Sequence, residues 1–433
     1  MKPVSILASL LLALALPAAG EELAEEIARL AARAEPGVIA TRHDLHEHPE
    51  LSNREERTGR IVAERLETLG LEVRRGVALT GVVGILRGAL PGPVVAVRAD
   101  MDGLPVTEET GLPFASRVRT SYLGREVGVM HACGHDAHVA IALGAAEVLA
   151  ALRDQLRGTV VFVFQPAEEG PPPGEEGGAS RMLAEGAFDD PKPEAVFGLH
   201  VSSDYASGQI AAVAGGAMAS SDRMRIVLKG RGTHAAYPWK GADPIPVAAR
   251  IVLAIEAIPA REVALGVPSV VSIGSIHGGS RNNILPDEVE LRGTIRALDP
   301  GIREELHERV RRTVTKTAEA SGIEVELTID DGNPITWNDP ALYDRMRPTF
   351  ERVAGPGLVA GSPRTGAEDF ALFAREVPGL YFWLGVRDPD LAPADAAPNH
   401  SPRFLVDDAA LELGVRAMAQ LVVDHAATSD GGR

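Results

Sequence analysis

The sequence predicts an α/β fold: a doubly wound, mostly parallel sheet, interrupted by a smaller inserted α+β unit of the ferredoxin-like sandwich type. Three observations predict it. Short, wholly apolar strands alternate with helical stretches through the first half of the chain. The order then changes to strand, helix, two strands, helix, strand, which suits one sheet covered by two helices. After Asn333 the alternation resumes. A chain of 433 residues, 45% of them hydrophobic, can build two such units without help from disulfides.

In order along the chain, residues 57–69 read as a helix with Ile61, Val62, Leu66 and Leu69 inward, stopped by Gly70. Residues 82–86 and 94–99 are strands, 140–152 an alanine-rich helix, 159–164 a continuous apolar strand and 195–199 another. In the inserted unit, 223–229, 270–276 and 288–297 read as strands, and 246–258 and 302–320 as helices. A helix over 341–353 and a strand over 380–384 return the chain to the first sheet. The predicted organisation is a catalytic domain in two parts, 21–216 and 329–433, around a smaller inserted domain at 217–328.

Residues 1–20 stand apart. Lys2 supplies a positive start, residues 6–16 form an apolar run too short to span a bilayer, and Ala18, Ala19 and Gly20 suit cleavage. The expectation is a signal peptide, an exported protein in the periplasm or outside the cell, and no stable membrane insertion after processing. A formal net charge of -17 argues against nucleic acid as a partner, because phosphate binding needs clustered Lys and Arg. The chain has one cysteine, Cys133, which can form no disulfide within the chain.

That cysteine sits in His131-Ala132-Cys133-Gly134-His135-Asp136-Ala137-His138, just ahead of the alanine-rich helix. A thiolate and an imidazole two residues apart can face one metal, and a helix N-terminus favours the thiolate. Redox and structural roles stay open on this motif alone. Glu168 and Glu169 follow an apolar strand, at the sheet edge where open α/β folds bind ligands. Consecutive side chains diverge, so one can ligate metal while the other acts as a base. His200 ends another apolar strand, Asp100 and Asp102 a further one, and His400 lies in the returning segment. Several such residues at the strand ends of one sheet point to a shared metal site. His43, His46 and His48 have no such partners and are expected to be structural, with His131 and His138 packing around the site.

The chain resembles the hippurate hydrolase and auxin-conjugate hydrolase branch of the dinuclear metallopeptidases related to aminoacylase and carboxypeptidase. The resemblance runs from about residue 39 to 421. Its signposts are Asp44 to Glu50, Arg98-Ala99-Asp100-Met101-Asp102, Cys133-Gly134-His135-Asp136 and Gln165-Pro166-Ala167-Glu168-Glu169-Gly170. Gly198-Leu199-His200, Asn283 to Asp287, Gly366 to Phe370 and His400-Ser401-Pro402 complete them. The resemblance implies two divalent ions held by Cys133, His135, Glu169, His200 and His400, with Glu168 as general base and Asp102 orienting the site. It further implies a lid and a homodimer formed through the inserted domain, and substrate-binding roles for His234 and Asn283. Glu368 and Asp369 are expected to cap a helix or support His400. The ligand set suits manganese, zinc, cobalt or nickel. The insertion Pro171-Pro172-Pro173 departs from the usual pattern and bears on access to the site. The implied activity is hydrolysis of N-acyl amino acids or similar small amides. A dipeptidase or carboxypeptidase is the alternative, and a solute-binding protein without turnover is a remote one.

Overall fold

The computed structural model describes residues 19–429. The expected signal peptide, residues 1–20, lies outside the described residues except for Ala19 and Gly20. Those two open the first helix.

The chain begins with α1 (Ala19–Glu47), α2 (Glu56–Thr68), β1 (Glu72–Val77), β2 (Gly81–Arg87) and β3 (Leu90–Asp100). A hairpin of β4 (Arg119–Tyr122) and β5 (Arg125–Gly128) precedes α3 (His135–Ala151) and β6 (Arg157–Gln165). Then come α4 (Gly178–Ala184), β7 (Ala195–Ala206), β8 (Ile210–Ala212) and β9 (Gly215–Met218). The smaller unit holds β10 (Asp222–Lys229), β11 (Thr233–His234), α5 (Ile245–Glu256), α6 (Ile258–Arg261) and β12 (Ser269–Gly278). It continues with β13 (Ile284–Leu285), β14 (Glu288–Ala297), α7 (Pro300–Glu319) and β15 (Glu324–Asp330). The chain closes with β16 (Thr336–Asn338), α8 (Pro340–Ala354), β17 (Leu358–Ala360), α9 (Phe370–Glu376), β18 (Gly379–Arg387) and α10 (Leu411–Ser429).

The large sheet has the order β1-β2-β6-β3-β7-β18-β8-β17. Its centre, β6-β3-β7-β18, is parallel throughout. The β1–β2, β2–β6 and β8–β18 pairs are antiparallel. Alternation within β3 explains the two covered faces. Val95, Val97 and Ala99 pack with α1, α3 and α10, while Ala96 faces the core shared with Met182 of α4 and Phe373 of α9. Helix α3 is buried on nearly every side, as its small residues permit. A Cβ at Gly144 would meet Val38 and Val415 at 2.7 Å, so α1 and α10 approach this helix as closely as backbone allows.

The smaller sheet has the order β12-β14-β10-β15 and is antiparallel throughout. With α5 and α7 on one face it has ferredoxin-like topology and its own core, built on Ile226, Ile251, Leu291 and Val310. Two chain crossings join the units side by side. Ser221 N–H donates to the Asn333 carbonyl at 3.0 Å, and Thr336 of β16 pairs with Met218 of β9.

Two details differ from the sequence reading. Helix α3 starts at His135, five residues earlier than expected, because the polar residues of the motif are buried along with the apolar ones. His200 does not end its strand. β7 runs on to Ala206 against β18, and only its pairing with β3 stops, at Gly198. Among the described residues no helix is long and apolar enough to cross a membrane.

Candidate metal centre

Three strands of the sheet centre deliver the site. β3 ends at Asp100, two residues before Asp102, and β6 ends at Gln165, just before the turn carrying Glu168 and Glu169. β7 carries His200 where its pairing with β3 has stopped. Helix α3 brings His135 on its first turn, and Gly134 at its N-cap has φ +94°. A Cβ there would lie 2.3 Å from Val201, so the cap requires glycine. The residue before Glu168, Ala167, and His400 itself both have positive φ, a strain that survives only where surrounding bonds enforce it.

Those bonds are visible. Ala167 N–H donates to Glu55 Oε1 (2.8 Å), and the amides of Glu168 and Glu169 donate to the two oxygens of Asp102, each at 3.1 Å. Three successive amides are thus held by two buried carboxylates. Ser52 donates to Asp102 and Thr80 to Glu55. His400 N–H donates to the Ala132 carbonyl (2.8 Å), and Asn399 donates to the carbonyls of Cys133 and Val201.

The expected ligand atoms converge. Cys133 Sγ lies 3.3 Å from His200 Nε2 and 3.2 Å from His400 Nε2, which is itself 3.0 Å from Glu169 Oε1. Cys133, His135 and His200 offer donor atoms within 4.8 Å of one another, and so do Cys133, Glu169 and His400, and His135, Glu168 and Glu169. His200 Nδ1 faces its neighbour's carbonyl, Val201 O, at 2.7 Å, so Nδ1 carries the proton and Nε2 presents a lone pair to the cluster. Both ring nitrogens of His135 and Oε1 of Glu169 are buried without a well-formed hydrogen bond: their nearest partners are Asp102 Oδ1 at 3.3 Å from Nδ1, Asp100 Oδ2 at 3.7 Å from Nε2, and His400 Nε2 at 3.0 Å from Oε1. Orphaned donors of this kind are costly in a native interior, and cations would satisfy them.

The electrostatics agree. Burial, followed by Glu169, Glu168 and Asp100, pushes the Cys133 thiol well above its ordinary value. Burial also pushes Glu168 well up, aided by Glu368 and Glu169. On His135 burial opposes the charge, but Asp100 and Asp102 prevail and raise it to about 10. The pocket carries more negative charge than it can neutralise from its own side chains. Bound cations reverse that penalty and favour the thiolate. The donor set therefore fits divalent metal.

Behind the cluster lies a fully paired network that the sequence reading missed. Buried Arg98 donates to Gln165 (2.8 Å), Asp100 (2.7 Å), Glu368 (2.8 Å) and Asp369 (3.0 Å). Tyr381 donates to Glu368 at 2.5 Å. Glu368 and Asp369 partner Arg98 and Gln165, not His400, and each also accepts an amide at a helix start, Phe370 N–H of α9 (2.9 Å) and Ala179 N–H of α4 (2.8 Å), as the capping alternative expected. Asp100 also takes the Nδ1 proton of His138, whose Nε2 accepts from Val201 N–H, so His138 orients Asp100 and β7. His46 bridges Asp136 and Glu108, and His43 pairs with Asp408, in keeping with structural roles. In sequence Glu55 reads as a surface acid, and Arg98, though part of a signpost motif, as a strand cation. Strand alternation alone could have placed Arg98 inside.

A cavity of about 830 Å3 opens onto the cluster. Its lining includes Cys133, Glu168, His200 and His400 and also Arg223, Arg296 and Arg364, of which Arg364 pairs with Asp204 at 2.8 Å and Arg296 donates to the Thr365 carbonyl at 3.2 Å. His234 and Asn283 are brought together, since Ala235 N–H donates to the Asn283 carbonyl, but both are exposed and neither lines this cavity.

Residues 96–424 match the model of Peptidase family M20/M25/M40. The chain belongs to that family. It is similar to thermostable carboxypeptidase 1 of Saccharolobus solfataricus, 41% identical over 404 residues, covering 93% of this chain and 98% of that one. It is 36% identical over 387 residues to the N-acetylcysteine deacetylase of Bacillus subtilis, covering 89% and 96%. Among solved structures it is similar to the Bacillus subtilis YXEP protein, a dinuclear metal binding peptidase of the M20 family. There the TM-score is 0.78 and the identity 34%, covering 92% of this chain and 99% of that one. The family places this chain among metal-dependent hydrolases of amide bonds. The same relatives correct one expectation. None of the relatives named supports export, and that expectation is withdrawn. A lysine followed by an apolar run is a compositional signal only.

Proposed function

We propose that the substrates are N-acyl amino acids and that Cys133, His135, Glu169, His200 and His400 hold two divalent ions, as manganese, zinc, cobalt or nickel. The observation that carries this reading is the convergence of a thiol, three imidazoles and a carboxylate, with His135 and Glu169 short of partners. When bound, such ions polarise the scissile carbonyl and acidify the attacking water. Glu168 accepts the water's proton and returns it to the departing nitrogen. Burial and the neighbouring carboxylates push its pKa up, which strengthens it as a proton acceptor. Asp102 and Glu55 fix the turn that aims it. Arg223, Arg296 and Arg364, in the lining of the same cavity, supply positive charge for the substrate's carboxylate.

Residues 21–216 and 329–433 act as the catalytic domain, and 217–328 as a lid and dimerisation domain. The paired crossings at Ser221 and Asn333 are a hinge of the right form. His234 and Asn283 meet the substrate on closure of that lid or from a second copy of the chain. A peptidase reading is favoured by the carboxypeptidase relative and uses the same machinery on a peptide bond. A hydrolysis screen of N-acetyl, N-benzoyl and longer acyl amino acids, with dipeptides included, separates the two readings. Turnover of acyl amino acids ahead of dipeptides is expected; dipeptides alone would replace the first reading with the second.

A further inference from the structure

One motif is left unused by the metal centre: Pro171-Pro172-Pro173, which directly follows Glu168-Glu169-Gly170. Two cavities lie against it. One, of about 400 Å3, is lined by Glu169, Gly170 and Pro172, together with polar and apolar groups such as Leu104, Val118 and Arg119. The other, of about 700 Å3, is lined by Glu168, Glu169, Gly170 and Pro171, together with Arg181 and Asn333. Glu169 and Gly170 face both cavities, whereas Pro172 faces the first and Pro171 the second. Residues 169–172 are the wall between them.

That wall is held at both ends. At its start the Glu169 amide donates to Asp102 at 3.1 Å. Past its end Glu175 accepts from Arg54 at 2.6 and 3.0 Å and from Asn53 at 3.1 Å. Asn53 also donates to the Glu176 carbonyl at 3.1 Å. Gly177 is pressed against the same asparagine, since a Cβ there would lie 2.6 Å from Asn53 Oδ1. Two residues on, Ala179 N–H donates to Asp369 at 2.8 Å, which joins the loop to the Arg98 network. Between these anchors each proline fixes its own φ at about −65° and has no N–H to offer another partner. Three in a row make a stiff span where glycine or serine would flex. Glu175 N–H closes the turn behind it on the Pro172 carbonyl at 3.0 Å.

A stiff wall rooted at Glu169 limits what can lie across it. A chain continuing from one cavity into the other would pass through the space held by Pro171 and Pro172. A clash of this kind excludes the longer substrate without any added attraction for the shorter one. We propose that Pro171-Pro172-Pro173 is a length-limiting wall, which keeps the two cavities apart and confines turnover to amides short enough to lie on one side of it. Acyl amino acids and dipeptides meet that limit; acyl tripeptides and tetrapeptides do not. The wall presupposes amide hydrolysis at this cluster and is independent of which short class is preferred.

The test compares the metal-loaded wild type with the triple variant Pro171→Gly, Pro172→Gly, Pro173→Gly, which keeps the loop's length but removes its bulk and stiffness. Release of the C-terminal amino acid gives kcat/KM for a dipeptide against a tetrapeptide, and for an N-acetyl amino acid against an N-acetyl tripeptide. In whichever series is turned over, the wild type should favour the short member by about 100-fold or more, and the triple variant should narrow that ratio by about tenfold or more. The gain should fall on the long member, with the short one changed by less than about threefold. Glu175→Ala removes the far tether, leaves the prolines in place, and should narrow the ratio by about threefold. An unchanged ratio in a folded triple variant, an equal fall in both members, or a wild type that takes long members as readily as short ones overturns the wall. If neither series is turned over, the proposed substrate classes fail while the wall is still read by calorimetry. The tetrapeptide should then bind the triple variant about tenfold more tightly than the wild type, and equal affinity or no binding to either overturns it.

Discussion

Two buried polar clusters lie side by side at the same edge of the large sheet, and they are built on opposite principles. Around Arg98 every guanidinium nitrogen has a carboxylate or amide partner, and Asp100, Glu368 and Asp369 are each engaged. Around Cys133 the reverse holds. His135 and Glu169 lack well-formed hydrogen bonds, with Asp102 3.3 Å from His135 Nδ1 and His400 3.0 Å from Glu169 Oε1, and thiol and carboxylates crowd one another. A saturated network fixes a shape, whereas an unsatisfied one has room for a charge from outside. Asp100 belongs to both, since it binds Arg98 and lies 3.7 Å from His135. The rigid cluster therefore orients the open one.

The largest effect that can break this contrast is on turnover. Glu168→Ala should cost on the order of 100- to 10,000-fold in kcat while the metal content and melting temperature stay as in the wild type. Steady-state kinetics beside metal analysis checks this, and robust hydrolysis by the variant removes Glu168 as base. On the saturated side the loss should be one of stability. Arg98→Met leaves Asp100, Glu368 and Asp369 buried without their cation, and should cost about 3–5 kcal/mol in denaturant unfolding. An Arg98→Met protein as stable as the wild type would mean that the network is not structural.

Glu55→Gln sharpens the contrast further. Burial and the neighbouring Asp102 raise Glu55 to about 8, so Glu55→Gln keeps the shape, an acceptor for the Ala167 amide and the largely neutral state, and kcat should fall by less than about threefold with KM nearly unchanged. A matching rise in KM would assign Glu55 to substrate binding. The smallest effect concerns His46, away from both clusters. Burial disfavours its charge, but Asp136 and Glu108 outweigh burial and raise it from 6.5 to about 9. A raised folded value means its contribution, at most about 3 kcal/mol, is complete below about pH 6.5 and is lost as pH rises through about 9. Melting curves of His46→Gln and wild type should converge between pH 7 and 10. A gap that stays constant contradicts the charged state.

Much of this was legible in sequence because it is carried by local pattern. The strand from 288 to 297 and the helix from 341 to 353 follow periodicity and capping, and the structure places them within a residue or so. The convergence of Cys133, His135, Glu169, His200 and His400 followed from strand ends and a named resemblance. What was missed depends on contacts far apart in the chain. Arg98 meets Glu368 across 270 positions, and Glu55 reaches Ala167 across 112, so no window of sequence contains either pair. Strand β1 was missed because its alternation is weak and one residue pair is bulged against β2. The export expectation came from a short apolar run whose composition suits several fates.

Metal stoichiometry tests the central claim most directly. Wild type, Glu168→Ala and Cys133→Ser are purified, loaded with manganese or zinc, freed of loose ions and analysed for metal per chain. About two ions per chain are expected in the first two, in keeping with the dinuclear M20 relative, and clearly fewer in Cys133→Ser. A wild type that retains none, or a Cys133→Ser variant that retains the full complement, would contradict a metal centre built on this cysteine.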